Sequence, residues 1–322
     1  MTYKITFKGK TFSCDGSKPI LDCALSQKVF MPYSCKAGEC QACMVKAISG
    51  MVSQDAQTGL SKAQVQQNLF LSCQCIPQSD MVIEPANYTP PYSASILEKT
   101  WLNSHVLRLR LQHPDDFQYQ AGQYIHIQHP KSKLLRSYSL ASLPSDGVLE
   151  LHIKRFPQGQ MSTWLCDEAN VGQSIAFSQS LGSCTYQQNA PKQTIILAGV
   201  GTGLAPLFGI LRDAIAHQHQ GSIHLFHASL HADGLYYQQE IQELCEQHHQ
   251  LSYTPCVLQG DAPQGGKQGS IEQIIVDTLD DFADKRAYVC GDDAVVQRMK
   301  DKLVAHGLPA SQILADAFVA SS

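Results

Sequence analysis

The sequence predicts a multidomain protein in which three different folds follow one another. At 322 residues, the chain is longer than one typical domain of roughly 100 to 200 residues. Cysteines are concentrated in the first 75 residues, short alternating strands follow, and strands then alternate with helices to the end. These patterns predict a cysteine-rich β domain over 1–90, an antiparallel β-barrel over 91–190 and a doubly wound α/β domain over 191–322.

Charge and hydropathy exclude several classes of protein. The 24 Lys and Arg against 28 Asp and Glu give a net charge of -4, which is not the footprint of a nucleic-acid binder. No apolar stretch approaches the roughly 18 residues of a membrane span, and residues 1–12 do not resemble a secretory signal. The sequence therefore predicts a cytoplasmic protein without a nucleic-acid or membrane partner. Thiols stay reduced in that compartment, so the twelve cysteines are expected to include metal ligands.

The first domain has the elements of a small mixed β fold. Strands over Tyr3–Phe7 and Thr11–Cys14 alternate around Gly9 in the manner of a hairpin. An amphipathic helix is predicted over 19–27, and Met81–Glu84 closes the domain as a strand. A linker and a domain boundary near residue 90 are indicated by three prolines, Pro85, Pro90 and Pro91.

Three cysteines of this domain follow a C-x4-C-x2-C spacing. They are Cys35, Cys40 and Cys43, and a fourth thiol follows about thirty residues later at Cys73 or Cys75. This is the plant-type spacing for a 2Fe-2S cluster held by four thiolates. A zinc site would need a second C-x2-C or a His pair, and none follows. The spacing therefore predicts an iron–sulfur cluster, with either Cys73 or Cys75 as the last ligand.

The residues around the last ligand resemble a plant-type ferredoxin of the β-grasp fold. In that family the ligand precedes a proline by four residues, as Cys73 precedes Pro77. The resemblance implies Cys73 as the fourth metal ligand. The other three cysteines of the domain are then expected to be ordinary packing residues: Cys14, Cys23 and Cys75.

The middle third combines short strands with two polar motifs. Strands are predicted over His105–Leu111, Gln123–Gln128 and Leu149–Lys154, which suggests a small antiparallel barrel. The first motif is Arg136-Ser137-Tyr138-Ser139, in which the guanidinium offers a fork for an anion and the tyrosine a flat ring. The second motif, Gly159-Gln160-Met161-Ser162, opens a helix whose N-terminus suits a phosphate.

The last third begins with a continuous apolar strand, Thr194–Val200. A glycine-rich turn, Gly201-Thr202-Gly203, leads from it into a helix through Leu211. Further buried strands over Ser222–His227 and Ala287–Cys290 indicate a doubly wound parallel sheet. Such a turn lets the backbone approach a pyrophosphate at the positive end of a helix.

Together, behind a ferredoxin domain, these motifs resemble the ferredoxin-NADP reductase superfamily. The resemblance implies that Arg136 binds the flavin phosphate, Tyr138 packs on the isoalloxazine, Ser139 lies near N5 and Cys290 lies beside the nicotinamide. Ser139 and Cys290 are therefore the predicted catalytic residues. The predicted cofactor-binding residues are Arg136, Ser137, Tyr138, Ser139, Gly159, Gln160, Met161, Ser162, Gly201, Thr202, Gly203, Cys290, Gly291, Asp292 and Phe318.

Three residues of the last third, Asp292, Asp293 and Phe318, bear on that resemblance. Asp292 and Asp293 stand where the family usually has two prolines after Cys-Gly. Phe318 lies in Asp316-Ala317-Phe318, which resembles a tail that places an aromatic ring over the flavin.

The loop after the second strand of the α/β domain predicts NADH rather than NADPH. A 2′-phosphate is normally bound by Arg or Lys at this position. Between Arg212 and Lys267 there is neither residue, and residues 228–233 read Ala-Ser-Leu-His-Ala-Asp. His227 and His231 are the side chains that could replace them, if they carried an imidazolium charge.

Over essentially its whole length the chain resembles the reductase component of multicomponent oxygenases. The resemblance implies a protein with FAD and a 2Fe-2S cluster that oxidises NADH and supplies single electrons to a terminal oxygenase, a hydroxylase or another one-electron acceptor protein. We expect the protein to be a monomer. The flavin is needed between NADH and the cluster, because a hydride carries two electrons and the cluster accepts one at a time. Two alternatives remain: a reductase for a deoxysugar dehydrase, and a non-catalytic ferredoxin carrier with decayed flavin and NAD modules.

Overall fold

The structure, a computed structural model, describes residues 2–33, 36, 38, 41–60, 62–86 and 90–318. It divides into two compact units. The first comprises most of the first 90 residues together with 131–137, and the second comprises 91–130 and 138–318. The predicted barrel and α/β domains thus belong largely to one compact unit.

The first unit is a five-stranded mixed sheet with a short helix packed against it. Its elements are β1 (Tyr3–Phe7), β2 (Lys10–Cys14), α1 (Ile20–Ser26), β3 (Met44–Ser49), α2 (Lys62–Gln66), β4 (Leu69–Leu71) and β5 (Met81–Pro85). The strand order is β2-β1-β5-β3-β4, with β1 antiparallel to β2 and parallel to β5. The predicted hairpin turns at Lys8 and Gly9, both of which have positive φ. Helix α1 buries Ile20 and Leu21 in the apolar core of this unit.

The prediction that Cys14 and Cys23 are separate packing residues is wrong, because a disulfide bond joins them. Cys14 ends β2 and Cys23 lies within α1, and their Cα atoms are 5.5 Å apart. The pairing arises from the packing of α1 against the hairpin, a tertiary contact that a spacing of nine residues does not reveal. Cys75 is fully buried, as expected of a packing residue.

The middle of the chain forms a six-stranded antiparallel sheet. Its elements are β6 (Tyr92–Trp101), β7 (Val106–Gln112), β8 (Tyr124–Gln128), β9 (Leu135–Ser139), β10 (Val148–Lys154), α3 (Gln160–Thr163) and β11 (Ser174–Phe177). The strand order is β10-β7-β6-β11-β8-β9. An additional bridge between Leu140, just after β9, and Leu151 in β10 connects the two ends of this order. The sheet is therefore curved in the barrel-like manner that the sequence predicts.

Helix α3 is extended by a π-helical segment, Trp164–Glu168, and is capped by a lysine at its end. The ammonium group of Lys99, on β6, donates to the carbonyl oxygens of Cys166 at 3.0 Å and Ala169 at 2.5 Å. A cation at this end favours the helix, because the last carbonyl groups lack intrahelical partners. Lys99 thus fixes the helix that begins at the predicted phosphate motif.

The last part of the chain is a parallel six-stranded sheet covered on both faces. Its elements are β12 (Ile195–Val200), α4 (Leu204–Ala216), β13 (Ile223–Ser229), α5 (Gln238–Gln247), β14 (Leu251–Val257), β15 (Lys267–Gln268), α6 (Ile271–Thr278), β16 (Arg286–Asp292), α7 (Asp293–Ala305) and β17 (Ile313–Phe318). The strand order is β15-β14-β13-β12-β16-β17. Helices α4 and α5 contribute to one apolar core, and α6 and α7 to another. This is the predicted doubly wound arrangement.

One pair of histidines behaves differently from the sequence expectation. Without a Cys or carboxylate partner at ligand spacing, His217 and His219 are expected to be solvated surface. His217 is exposed, but His219 is buried and bonds to the hydroxyl of Tyr186 and the carbonyl of Gln193. His219 lies just beyond the end of α4, where the chain turns inward.

Within the parts of the chain that the structure describes, no helix has both the length and the apolar character needed to cross a membrane.

Candidate functional site

Two of the four predicted cluster ligands lie in the described part of the chain, and their thiols converge. The Sγ atoms of Cys43 and Cys73 are 3.1 Å apart and both side chains are buried. The segments that carry them are held together because the N–H and hydroxyl of Ser72 both donate to the carbonyl oxygen of Cys43. Cys35 and Cys40 lie outside the described residues.

Three described residues between Cys35 and Cys43 have a left-handed backbone. Lys36, Gly38 and Gln41 all have positive φ, between 54° and 84°. The side-chain amide of Gln74 donates to the carbonyl oxygen of Lys36 at 3.1 Å and approaches Cys73 Sγ at 3.5 Å. The loop and the Cys73 segment are therefore connected by a hydrogen-bonding side chain. A curved backbone with two converging thiols fits a 2Fe-2S cluster.

The first predicted flavin motif occupies β9. Ser139, its last residue, is buried, whereas Arg136, Ser137 and Tyr138 are half-buried. The guanidinium of Arg136 donates to the carbonyl oxygen of Leu135 at 2.9 Å. The motif thus presents a guanidinium, a ring and two hydroxyl groups along one strand.

The second predicted flavin motif is the start of α3. The hydroxyl of Ser162 accepts from the N–H of Phe156 at 3.1 Å and lies 3.2 Å from the carbonyl oxygen of Gly159, to which it donates. The serine therefore shapes the loop before the helix, and the first N–H groups of the helix are the groups that can face a phosphate. Among the described residues, no hydrogen bond joins Ser139 to this motif.

The glycine-rich turn lies between β12 and α4 and is packed tightly against the end of β16. A Cβ on Gly203 would lie 2.3 Å from the carbonyl oxygen of Cys290, so only glycine fits there. The carbonyl of Gly201 bonds to Nε2 of His227 at 3.1 Å. Contacts at both Gly201 and Gly203 thus fix the turn. Its N–H groups lie at the start of α4, a position that suits a pyrophosphate.

His227 cannot serve as a cationic replacement for Arg or Lys. Its side chain is fully buried, and burial lowers its pKa to about 4 although the bond to Gly201 opposes this. The ring is therefore neutral at pH 7 and donates from Nε2. His231 is exposed and bonds through Nδ1 to the carbonyl of Gln259 at 3.3 Å.

The structure brings the two predicted catalytic residues to one carboxylate, Asp316. The hydroxyl of Ser139 donates to Oδ2 of Asp316 at 3.2 Å. Asp316 lies on β17 directly opposite Cys290 on β16. Cys290 is fully buried, with the Sγ of Cys184 4.0 Å away. Burial raises the pKa of the Cys290 thiol well above its ordinary value, and Cys184 and Asp316 raise it further, so the thiol is neutral.

The remaining residues predicted near the nicotinamide have different positions. Gly291 is buried next to Cys290, with a φ of +133°. The carboxylate of Asp292 is the N-cap of α7 and accepts from the N–H groups of Ala294 and Val295. This role accounts for an aspartate where the family usually has proline, because a carboxylate can cap a helix. Phe318 is half-buried at the end of β17, opposite Asp292.

Sequence reasoning missed Asp316 and Cys184 as members of this site. Cys184 lies 106 positions before Cys290, and Asp316 belongs to the segment that the sequence singles out for Phe318 alone. The only sequence signal is that Asp316 is a charged residue two positions before the predicted Phe318. Cys184 has no comparable signal, since a lone cysteine after a strand most often packs in a core.

A buried polar network connects the barrel strands to the α/β part of the second unit. Glu150 accepts from the hydroxyl of Tyr237 at 2.7 Å, from Arg110 at 2.8 Å and from His152 at 3.1 Å. His152 bonds through its other nitrogen to the hydroxyl of Tyr236 at 3.1 Å. Burial alone raises the pKa of Glu150, but the bonds from His152, Tyr237 and Arg110 outweigh it and lower the pKa to about 2.

Comparisons with known proteins agree with this organisation. Three family models match: a 2Fe-2S iron-sulfur cluster binding domain over 4–78, an oxidoreductase FAD-binding domain over 94–186 and an oxidoreductase NAD-binding domain over 196–301. These define an iron–sulfur flavoprotein oxidoreductase that uses a nicotinamide nucleotide.

Relatives are similar over nearly the whole chain. The CDP-6-deoxy-L-threo-D-glycero-4-hexulose-3-dehydrase reductase of Yersinia pestis is 30% identical and covers 100% of this chain and 99% of its own. The ferredoxin–NAD(P)(+) reductase component of the naphthalene 1,2-dioxygenase/salicylate 5-hydroxylase systems of a Ralstonia species is also 30% identical, with 94% of each chain covered. The crystal structure of the Amycolatopsis cytochrome P450 reductase GcoB superposes with a TM-score of 0.71 at 26% identity and covers 100% of both chains.

The chain belongs to the family of NAD(P)H-dependent flavin and iron–sulfur reductases that includes the reductase components of dioxygenases and hydroxylases. It is an oxidoreductase with an FAD-binding, an NAD-binding and a 2Fe-2S domain, which removes the support for a non-catalytic carrier.

Proposed function

We propose that this protein oxidises NADH and delivers single electrons through its 2Fe-2S cluster to a terminal oxygenase or hydroxylase. Membership of the family supports the overall reaction. The oxygenase partner is supported by relatives that are reductase components of dioxygenase systems. We further propose a cytoplasmic monomer with domain boundaries near residues 90 and 190.

The preference for NADH is carried by the loop after β13. Neither Arg nor Lys occurs between Arg212 and Lys267, so no guanidinium or ammonium from this stretch can bind a 2′-phosphate. His227 is buried and neutral, which removes one of the two histidines that could have replaced them. The exposed Asp233 would repel a phosphate and can accept from a ribose hydroxyl.

The residues near Cys290 orient the reacting rings rather than react themselves. FAD, when bound, accepts a hydride and releases its electrons singly. Ser139 is held by Asp316, so its hydroxyl has a fixed direction at the end of β9. Cys290 presents a neutral thiol, whose direction the neighbouring Cys184 restricts. The turn over Gly201–Gly203 would hold the pyrophosphate of the nucleotide, and the start of α3 and the guanidinium of Arg136 each offer donors that would suit the pyrophosphate of FAD.

The cluster ligands in this proposal are Cys35, Cys40, Cys43 and Cys73. The convergence of the Cys43 and Cys73 thiols supports the choice of Cys73 over Cys75, whose side chain is fully buried in the apolar core.

Steady-state kinetics with both nucleotides test this proposal. The purified protein should show flavin and cluster absorption and reduce cytochrome c with NADH. The catalytic efficiency with NADPH should be at least about tenfold lower, which corresponds to the loss of about 1.4 kcal/mol of binding in the transition state. Equal efficiency with the two nucleotides would overturn the NADH assignment.

A second candidate acceptor is a deoxysugar dehydrase, because the Yersinia relative over the whole chain is named as the reductase of one. The two candidates differ only in the protein that receives the electrons. Reconstitution with a dioxygenase component and, separately, with a dehydrase component distinguishes them, since only the true partner should give NADH-dependent turnover of its own substrate.

A further inference from the structure

We propose that Cys14 and Cys23 form a thiol–disulfide site that controls how firmly the first unit holds its cluster. The disulfide joins the end of β2 to the middle of α1 and closes a loop over residues 14–23. The proposal rests on the assignment of Cys73 as a cluster ligand.

Helix α1 supports the Cys73 segment directly. The N–H of Ile20 donates to the carbonyl oxygen of Cys75 at 2.8 Å, and the N–H of Leu21 donates to that of Ser72 at 3.1 Å. N–H groups in the first turn of a helix have no acceptor within the helix, so they need one outside it. The first turn of α1 therefore fixes the backbone on both sides of Cys73.

The same helix also contacts the loop that precedes Cys43. The carboxylate of Asp22, in the first turn of α1, accepts from the ammonium group of Lys36 at 3.0 Å. Gln74 then bonds to the carbonyl oxygen of Lys36. Displacement of α1 would release both the loop and the Cys73 segment.

Without the covalent bond, helix α1 is held in place by noncovalent contacts alone. Helix α1 has seven residues, and helices of this length are not stable on their own. Its attachment depends on the packing of Ile20, Leu21 and Ala24, on the hydrogen bonds from its first turn to Ser72 and Cys75, and on the bond at Cys23. A cross-link closing a loop of this length shifts the equilibrium between folded and unfolded forms by about a hundredfold in chain-entropy terms.

The site takes a low-molecular-weight disulfide as its oxidant. One thiolate attacks the small disulfide, forming a mixed disulfide and releasing one small thiol. The second thiolate then attacks the protein sulfur, forms the Cys14–Cys23 bond and releases the other small thiol. Two S–H bonds and one S–S bond are broken, and the two electrons and two protons leave in the two small thiols. A dithiol such as dithiothreitol reverses the reaction. Both side chains are buried, so exchange in either direction requires α1 to open and is slow.

The chain offers a clean chemical test of the bond. Trypsin does not cleave before Pro19, so residues 11–28 are released as one peptide whose only cysteines are Cys14 and Cys23. The full-length holoprotein is incubated with oxidised glutathione, denatured in acid, alkylated and digested. The expected peptide carries no alkyl group and is lighter by two hydrogen atoms. Reduction before alkylation should instead add two alkyl groups. A doubly alkylated peptide without prior reduction would overturn the disulfide.

The effect on the cluster is tested by the rate at which its visible absorption is lost in urea. Oxidised wild type is compared with the double variant Cys14→Ala/Cys23→Ala and with wild type reduced by dithiothreitol under argon. The double variant should lose its cluster ten- to a hundredfold faster than oxidised wild type, within the range that loop closure allows. Reduction should bring wild type to the rate of the variant, and should leave the variant itself unchanged.

A matched control removes two cysteines from the other unit. The double variant Cys245→Ala/Cys256→Ala also removes two thiols, and its cluster should be lost at the wild-type rate. Equal rates for oxidised wild type, reduced wild type and Cys14→Ala/Cys23→Ala would overturn the proposal. The peptide measurement does not depend on a cluster, so a wrong ligand assignment and an absent disulfide give different results.

Discussion

Ser139 and Asp316 are hydrogen-bonded although 177 positions separate them in the chain. The bond joins a strand of the barrel to the last strand of the parallel sheet, next to the buried thiol of Cys290. A hydroxyl held by a carboxylate has one preferred direction, whereas a free serine rotates among several. The pair therefore gives the proposed flavin site a fixed polar group.

Replacing Ser139 by alanine tests this role. Ser139→Ala removes the donor to Asp316 and the oriented hydroxyl, so the rate of flavin reduction by NADH should fall about tenfold, the equivalent of one hydrogen bond. Stopped-flow absorbance measures this rate, and the FAD content should stay at the wild-type level. Ser93→Ala, which alters an exposed serine on β6, is the control and should have no effect. An unchanged rate in Ser139→Ala would contradict the role.

A second test at the residue scale concerns the close approach of Gly203 to Cys290. Gly203→Ala places a methyl group 2.3 Å from a backbone oxygen, so the turn must move. The KM for NADH should rise more than about tenfold while FAD and cluster absorption are retained. Ala216→Gly, at the exposed end of α4, weakens the helix by up to about 1 kcal/mol without a clash and should leave KM unchanged. A similar rise of KM in both variants would attribute the effect to the helix instead.

At the scale of elements, strand β10 connects the barrel to the parallel sheet through buried polar side chains. Glu150 and His152 both belong to this strand, and their partners Tyr236 and Tyr237 follow β13. Burial lowers the pKa of His152 below its ordinary value, so the ring is neutral at pH 7 and donates to Glu150. The connection is therefore one carboxylate surrounded by three donors.

The buried polar network around Glu150 predicts that the protein loses stability in acid. The folded-state pKa of Glu150, about 2, lies below its ordinary 4.5, so its contribution is complete above pH 4.5 and is lost between pH 4.5 and 2. The pKa of His152 is also lowered in the folded state, so its contribution declines as the pH falls below 6.5. The free energy of unfolding should therefore fall continuously from pH 6.5 downwards.

Glu150→Gln separates the contribution of the carboxylate. At pH 7 it replaces a buried carboxylate that accepts from Tyr237, Arg110 and His152 by a neutral amide, while Arg110 keeps its ion pair with Glu98. The change should cost about 2 kcal/mol in urea unfolding, as expected for a hydrogen bond to a charged group. The difference from wild type should shrink as the pH falls below 4.5. Glu168→Gln, an exposed glutamate of the same unit, should stay within about 0.5 kcal/mol of wild type. A pH-independent difference for Glu150→Gln would contradict the assignment.

At the scale of the whole molecule, local patterns predicted the architecture and most of the proposed site. The C-x4-C-x2-C spacing, the hairpin around Gly9 and the glycine-rich turn are all encoded within a few residues, and the fold they predict is the one observed. The pairing of Cys14 with Cys23 and the bond from Ser139 to Asp316 could not be predicted in this way. Each depends on how separate elements pack against one another, and a motif that contains one partner, as for Ser139, does not say which residue the other partner is.

The proposed direction of electron flow runs from the C-terminal part of the chain to its N-terminal unit, and one cysteine tests it. Cys73→Ser should abolish the cluster absorption, because a hydroxyl is a poor substitute for a thiolate ligand. Reduction of ferricyanide by NADH should persist, since this small oxidant accepts electrons from the flavin directly. Reduction of cytochrome c should fall by at least about tenfold, because its electrons pass through the cluster.

Cys75→Ser is the matched variant: it alters the neighbouring buried thiol and should keep both the cluster and the cytochrome c activity. The reverse result, with the cluster lost in Cys75→Ser and retained in Cys73→Ser, would make Cys75 the fourth ligand. Loss of the ferricyanide activity in Cys73→Ser would show that the flavin site does not work independently of the cluster.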